Sequence, residues 1–139
     1  MTPMRAEDFL EPAREAAAGP SEAYWRTAAG RAYYALFGAA LAALDLWGFA
    51  PRARDNPHHF ARLRLIFSSD PGVRAIGKTL EDLSRLRNTA DYHLGPDERF
   101  ETRGPASNAV ARAIGAVHAL QAIESNPARR EAAIASIRR

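Results

Sequence analysis

The chain has 139 residues, enough for one domain with a real core, and its 47% hydrophobic and 25% charged content is that of a folded globular protein. With no cysteine, disulfides, thiolate catalysis and cysteine-held zinc are excluded. The net charge of +3 is almost all arginine, Lys78 being the only lysine. That bias admits an anionic partner, since arginine's planar fork fits phosphate oxygens, but a GC-rich genome produces the same bias.

Abundant alanine and sparse β-branched residues favour helices over sheets. The opening MTPMRAEDFLEPARE mixes acids and bases without an apolar run and does not read as a signal peptide. A first helix is predicted from about Arg5 to Ala18, bent or begun near Pro12 and stopped by Gly19-Pro20. Ser21 and Glu22 then open a long second helix, Glu22 to Trp47, with Gly48 as its stop. Its positions Tyr33, Phe37, Ala40, Leu44 and Trp47 repeat at three and four, which predicts one buried stripe. The run Ala32 to Leu44 within it is too short to cross a bilayer before Asp45 interrupts it, so the protein is read as soluble and cytoplasmic, with no membrane partner.

After a loop, Phe60, Leu63 and Phe67 predict a short third helix from about His58 to Ser69. Asp70-Pro71 is a cap and first-turn pair for a fourth helix, along which Val73, Ile76, Leu80, Leu83, Leu86 and Ala90 keep helical spacing up to the Gly95-Pro96 stop. A fifth helix spans about Ala106 to Glu124, with Val110, Ile114, Val117, Leu120 and Ile123 inward. Residues 126–139 form a short basic tail with room for a helix, its arginines read as a solvated end. The fold class is therefore all-α: an antiparallel up-and-down bundle of four long helices and a short one, over residues 1–125.

The stretch LRNTADYHLGP, at the end of the fourth helix, holds the candidate chemistry. Arg87 and His93 lie six positions apart, which on a continuous helix sets their side chains about 120° apart. A residue before proline is disfavoured in helical geometry, so Pro96 predicts fraying around Tyr92 or His93, and His93 is then free to swing toward Arg87. Histidine exchanges protons near neutral pH and arginine holds phosphoryl oxygens as charge builds in a transition state, with Asn88 placed to orient either. Such chemistry needs no metal or cofactor if the 2′-hydroxyl of RNA is the nucleophile. The plainer reading is an Arg87–Asp91 ion pair at i,i+4 spacing, with His93 at the helix's carbonyl end.

Arg87, the polar Asn88 and then His93 resemble the motif of HEPN domains, in which an arginine is followed at a short fixed range by a histidine. ADYH at 90–93 is close to the ADY of the small stand-alone HEPN subgroup, and GRAYYALFGAALAAL at 30–44 is similar to that subgroup's second helix, with Gly30 in place of the usual serine. HHFARLRLIF has a looser likeness to a family segment with a histidine before a hydrophobic helix. The resemblance implies a helical bundle that dimerises and brings two motif copies to one cleft, in a metal-independent endoribonuclease of the toxin or defence kind, partnered by a nucleotidyltransferase-fold antitoxin. It makes His93 the acid/base group, Arg87 the phosphate stabiliser and Asn88 a supporting hydrogen-bonder. It also implies that one His93 activates the 2′-hydroxyl while the other protonates the leaving 5′-oxygen. Some HEPN toxins carry a tyrosine two residues after the histidine as a target for silencing; here Gly95 stands there, which removes that form of control. Catalytically silent HEPN modules that bind a nucleotide or a nucleotidyltransferase-fold partner are the alternative, and an unrelated helical bundle is the third reading.

Other candidates are weaker. His58 and His59 point about 100° apart on a helix and read as polar helix-start residues rather than metal ligands. His118 reads as facing the core, or else a partner helix, and Tyr33, Tyr34 and Trp47 as core or dimer-interface residues rather than a base-stacking platform. Arg52, Arg54, Arg62 and Arg64 form a basic cluster around the third helix, a solvated face by default and an RNA track in a ribonuclease.

Overall fold

In the computed structural model, which describes residues 2–138, six α-helices pack together and no strand occurs among the described residues. They are α1 (Leu10–Ala17), α2 (Glu22–Leu46), α3 (Pro57–Ile66), α4 (Pro71–Tyr92), α5 (Gly104–Glu124) and α6 (Pro127–Ala135). No helix among the described residues is long and apolar enough to cross a membrane.

The first predicted helix divides: a 3₁₀ turn, Ala6–Phe9, leads into α1. Asp8 closes the turn by accepting from the Arg5 amide at 2.8 Å. Pro12 falls in the first turn of α1, where amide hydrogens have no helical acceptor and its missing N–H costs nothing.

Helix α2 is central, packed by α1, α4 and α5. Its buried residues consequently go beyond a single stripe, with Ala28, Ala29, Ala32, Ala35, Leu36 and Ala40 all enclosed alongside Tyr33, Phe37 and Leu44. Alanine at so many of these positions lets three neighbours approach one helix. Gly48, at φ 91°, supplies the left-handed residue that ends it.

Asn56 caps α3 by accepting from the His58 and His59 amides, with Pro57 as the first helical residue. The helix stops at Ile66, earlier than its apolar spacing predicts, because the chain beyond it is tied to the C-terminus. There the Ser68 and Ser136 hydroxyls lie 2.6 Å apart and the Ser69 amide donates to the Ser136 carbonyl. Gly77 lets the end of α3 lie on α4; a Cβ there would stand 2.6 Å from the Ile66 nitrogen.

Asp70 caps α4 as its sequence predicts, accepting from the Val73 amide at 3.0 Å. The same carboxylate takes a forked ion pair from Arg129 of α6, at 2.6 and 2.9 Å. Helix α6 is docked, as Ala133 and Ile137 are buried, and its Arg129 and Arg130 are paired with Asp70 and Glu124 instead of forming a solvated end. His118, expected in the core, is exposed.

Candidate functional site

Helix α4 ends at Tyr92, and Arg26 of α2 is the residue that holds its end. Arg26 is 7% exposed and donates to the carbonyls of Thr89, Ala90, His93 and Gly95 at 3.0–3.1 Å. Glu22 accepts from its Nε at 3.0 Å, and its guanidinium lies 4.6 Å over the Phe100 ring. A cation among the last carbonyls of a helix satisfies acceptors that have no amide partner and meets the negative end of the helix dipole. The chain beyond Tyr92 is therefore pinned, with His93 at φ −123° and ψ 82°. Its ring is exposed and makes no hydrogen bond or ion pair among the described residues.

Arg87 lies within α4, six residues before His93. Its Nε meets Asp91 Oδ2 at 3.0 Å, the i,i+4 pair that the spacing allows, and an Nη donates to Asn88 Oδ1 at 3.4 Å. The guanidinium also lies 6.0 Å from the Tyr33 ring and 5.4 Å from the Tyr92 ring. The helix frays where expected, yet within one chain the Arg87 and His93 side chains do not pair.

What Arg87 shares instead is a polar pocket of about 240 Å³ between α2, α3 and α4. Asn88 and Ser84 line it from α4, Tyr33 from α2, and His58, His59 and Arg62 from the start of α3, with Asn56 at the rim. None of these lining residues is an Asp or Glu, and two are arginines. The Tyr33 hydroxyl and His58 Nδ1 are 2.6 Å apart, and the His58 ring stacks on Phe37 at 4.1 Å and 13°. Burial pushes the Tyr33 phenol above its ordinary value, opposed by a hydrogen bond from Ser84 and by the charges of Arg87 and Arg62. Burial likewise lowers His58, helped by the positive charge of Arg87 and by His59, which favours the neutral ring.

The four arginines of the basic cluster separate. Arg62 faces this pocket, while Arg64, two residues and about 200° further round α3, lies 4.5 Å over the Phe60 ring beside Leu63, Phe67 and Arg138. Arg52 pairs with Asp55 in the loop before α3, and Arg54 is exposed there. Tyr33 and Trp47 are buried, but Tyr34 is 48% exposed and meets Phe9 edge-on. Trp47 donates to Glu124 at 2.6 Å. No group of three or more His, Asp or Glu side chains suited to a metal ion occurs among the described residues.

Two functional features escape sequence reading. Arg26 makes its contacts 63 to 69 residues away, although its place three and seven residues before Ala29 and Tyr33 puts it on the buried side of α2. The Tyr33–His58 pair joins residues 25 apart, and the two histidines at a helix start carry no spacing signal of it. Comparison of the chain with protein-family models, with curated proteins and with solved structures finds no match.

Proposed function

We propose that this protein is a HEPN-type endoribonuclease that cleaves RNA without a metal, as the toxin or defence component of a two-gene system in the cytoplasm. The observation that carries the reading is the pinned turn after Tyr92: it presents His93 to solvent with no side-chain partner among the described residues, at the end of the helix whose Arg87 opens onto a pocket free of carboxylates. In this reading the 2′-oxygen bonds to phosphorus as the bond to the 5′-oxygen breaks. One His93 takes the 2′-hydroxyl proton, a second protonates the departing 5′-oxygen, and the products are a 2′,3′-cyclic phosphate and a 5′-hydroxyl. Arg87 holds the phosphoryl oxygens as their charge grows, and Asn88 orients them.

Two histidines require two chains. We take the active form to be a homodimer of antiparallel helical bundles, in which the second copy covers Tyr92 and Leu94, 66% and 73% exposed beside His93. The test is the size of the purified protein in solution together with the end groups of its RNA products. A dimer whose products carry cyclic phosphate ends supports the reading; a monomer, or products with 5′-phosphate ends, overturns it.

The Arg87–Asp91 pair favours a second reading, because it occupies part of the guanidinium that would have to stabilise the growing charge of a transition state. In that reading the chain is a silent HEPN module that binds a nucleotide or a nucleotidyltransferase-fold partner. RNA left intact by a protein that still binds nucleotide would decide for it.

A further inference from the structure

Most of the residues that surround Arg87 lie outside the motif, and they define a ligand of their own. Helix α3 contributes Arg62 and His58 to the pocket, α4 contributes Arg87 and Ser84, and α2 contributes Tyr33. Every polar lining side chain can donate a hydrogen bond, and the two fixed charges are both positive. At about 240 Å³ the space suits a phosphate group with part of its sugar rather than a peptide or an apolar ligand.

The tautomer of His58 sharpens this. Burial keeps the proton on the Tyr33 phenol, which can therefore donate to His58 Nδ1, 2.6 Å away. A neutral imidazole that accepts at Nδ1 carries its hydrogen on Nε2, and Nε2 has no partner among the described residues. Stacking on Phe37 and the bond to Tyr33 fix the ring, so this N–H is a preset donor.

We propose that this pocket is a binding site for the phosphate of a nucleotide, clamped by the guanidinium groups of Arg62 and Arg87 and oriented by the Nε2–H of His58. Forked guanidinium contacts supply the charge, and the histidine supplies direction. On binding, the anion displaces part of Asp91's hold on Arg87. The inference rests on the ribonuclease reading for the source of the phosphate, the scissile phosphate of an RNA nucleotide held by Arg87, but not for the site itself.

The experiment is a titration of the whole protein, followed through the His58 ring signals by NMR, with adenosine 3′-monophosphate, inorganic phosphate and adenosine in separate arms. The nucleotide is expected to give saturable shifts at His58, inorganic phosphate weaker ones, and adenosine none. Arg62→Ala and Arg87→Ala are expected to weaken nucleotide binding at least about tenfold, the scale of one lost charge-assisted contact. Arg85→Ala, an exposed charge on the same helix, should change it less than about twofold. Adenosine binding as well as its phosphate, inorganic phosphate matching the nucleotide, or equal binding by all four proteins would each overturn the proposal. Saturable binding by a protein that leaves RNA intact would sink the ribonuclease reading and leave the pocket standing. Cleavage that depends on Arg87 and His93 without any His58 response would do the reverse.

Discussion

Replacing Arg26 by methionine keeps most of the side-chain volume of α2 and removes the cation that closes α4. The carbonyls it leaves do not suffer equally. Ala90 O is buried and loses its charged donor, a loss of about 1–3 kcal/mol. Thr89 O keeps the His93 amide at 3.0 Å, and Gly95 is exposed enough for water to replace the guanidinium. Loss of the contact over Phe100 adds about 1 kcal/mol. The expected loss is about 3 kcal/mol, a large share of the roughly 5–15 kcal/mol by which a domain is stable. Arg26→Lys retains a charge but not the planar fork that reaches four carbonyls, and it should fall between the two. Urea unfolding followed by circular dichroism measures both, and the His93 amide resonance reports on the turn. A loss below about 1 kcal/mol with an unmoved His93 amide would refute the claim that Arg26 holds the end of α4.

Three further outcomes are expected. Asp70→Ala removes both the α4 cap and the Arg129 pair, and should cost about 1–2 kcal/mol in urea unfolding, with the α6 amides losing most of their protection from hydrogen exchange. Asp70 is held below the ordinary carboxylate range, first by Arg129, and Asp97 is held at about 2, first by Arg99. A depressed carboxylate contributes stability that is whole above its unfolded value near 3.9 and lost as pH falls through its folded value, so acid unfolding should shift to higher pH in Asp97→Asn. His58 has the opposite character to a paired histidine: its folded value is lowered, so below about 6.5 the unfolded chain binds the proton first and stability falls. The groups facing it are Tyr33, Arg62, His59 and Arg87, and His58→Gln should flatten the stability profile between pH 7.5 and 5.5.

Much of the fold is written in local signals. Asp70-Pro71 and Gly48 mark helix boundaries through capping chemistry that acts within four residues, and both act as the sequence predicts. The end of α4 near Tyr92 is only partly local: Pro96 disfavours helical geometry at Gly95, while Arg26 of α2 holds the turn from far away in the chain. The 3₁₀ turn before α1 is less so, since an apolar rhythm does not separate one helical hydrogen-bond register from another.

The site is another matter. Arg87, Asn88 and His93 can be picked out as chemically apt, but their neighbours depend on which helices meet. Arg62 and Arg64 differ by two positions in the chain and by opposite faces of α3, so a cluster of arginines in sequence becomes one pocket residue and one cation over Phe60. The basic C-terminus reads as solvated because its partners, Asp70 and Glu124, are supplied by other helices. His58 reads as a helix-start residue, which it is, while its bond to Tyr33 exists only once α3 lies against α2.

The central claim is that Arg87 and His93 form a metal-free ribonuclease site. Purified wild-type protein, Arg87→Ala and His93→Ala, incubated with mixed cellular RNA in EDTA, test it most directly. The expected result is cleavage by the wild type alone, with both variants folded by circular dichroism and slower by at least about a hundredfold, the usual contribution of a positioned acid/base group or transition-state clamp. Three preparations that are equally inert, or that cut equally well, would contradict it.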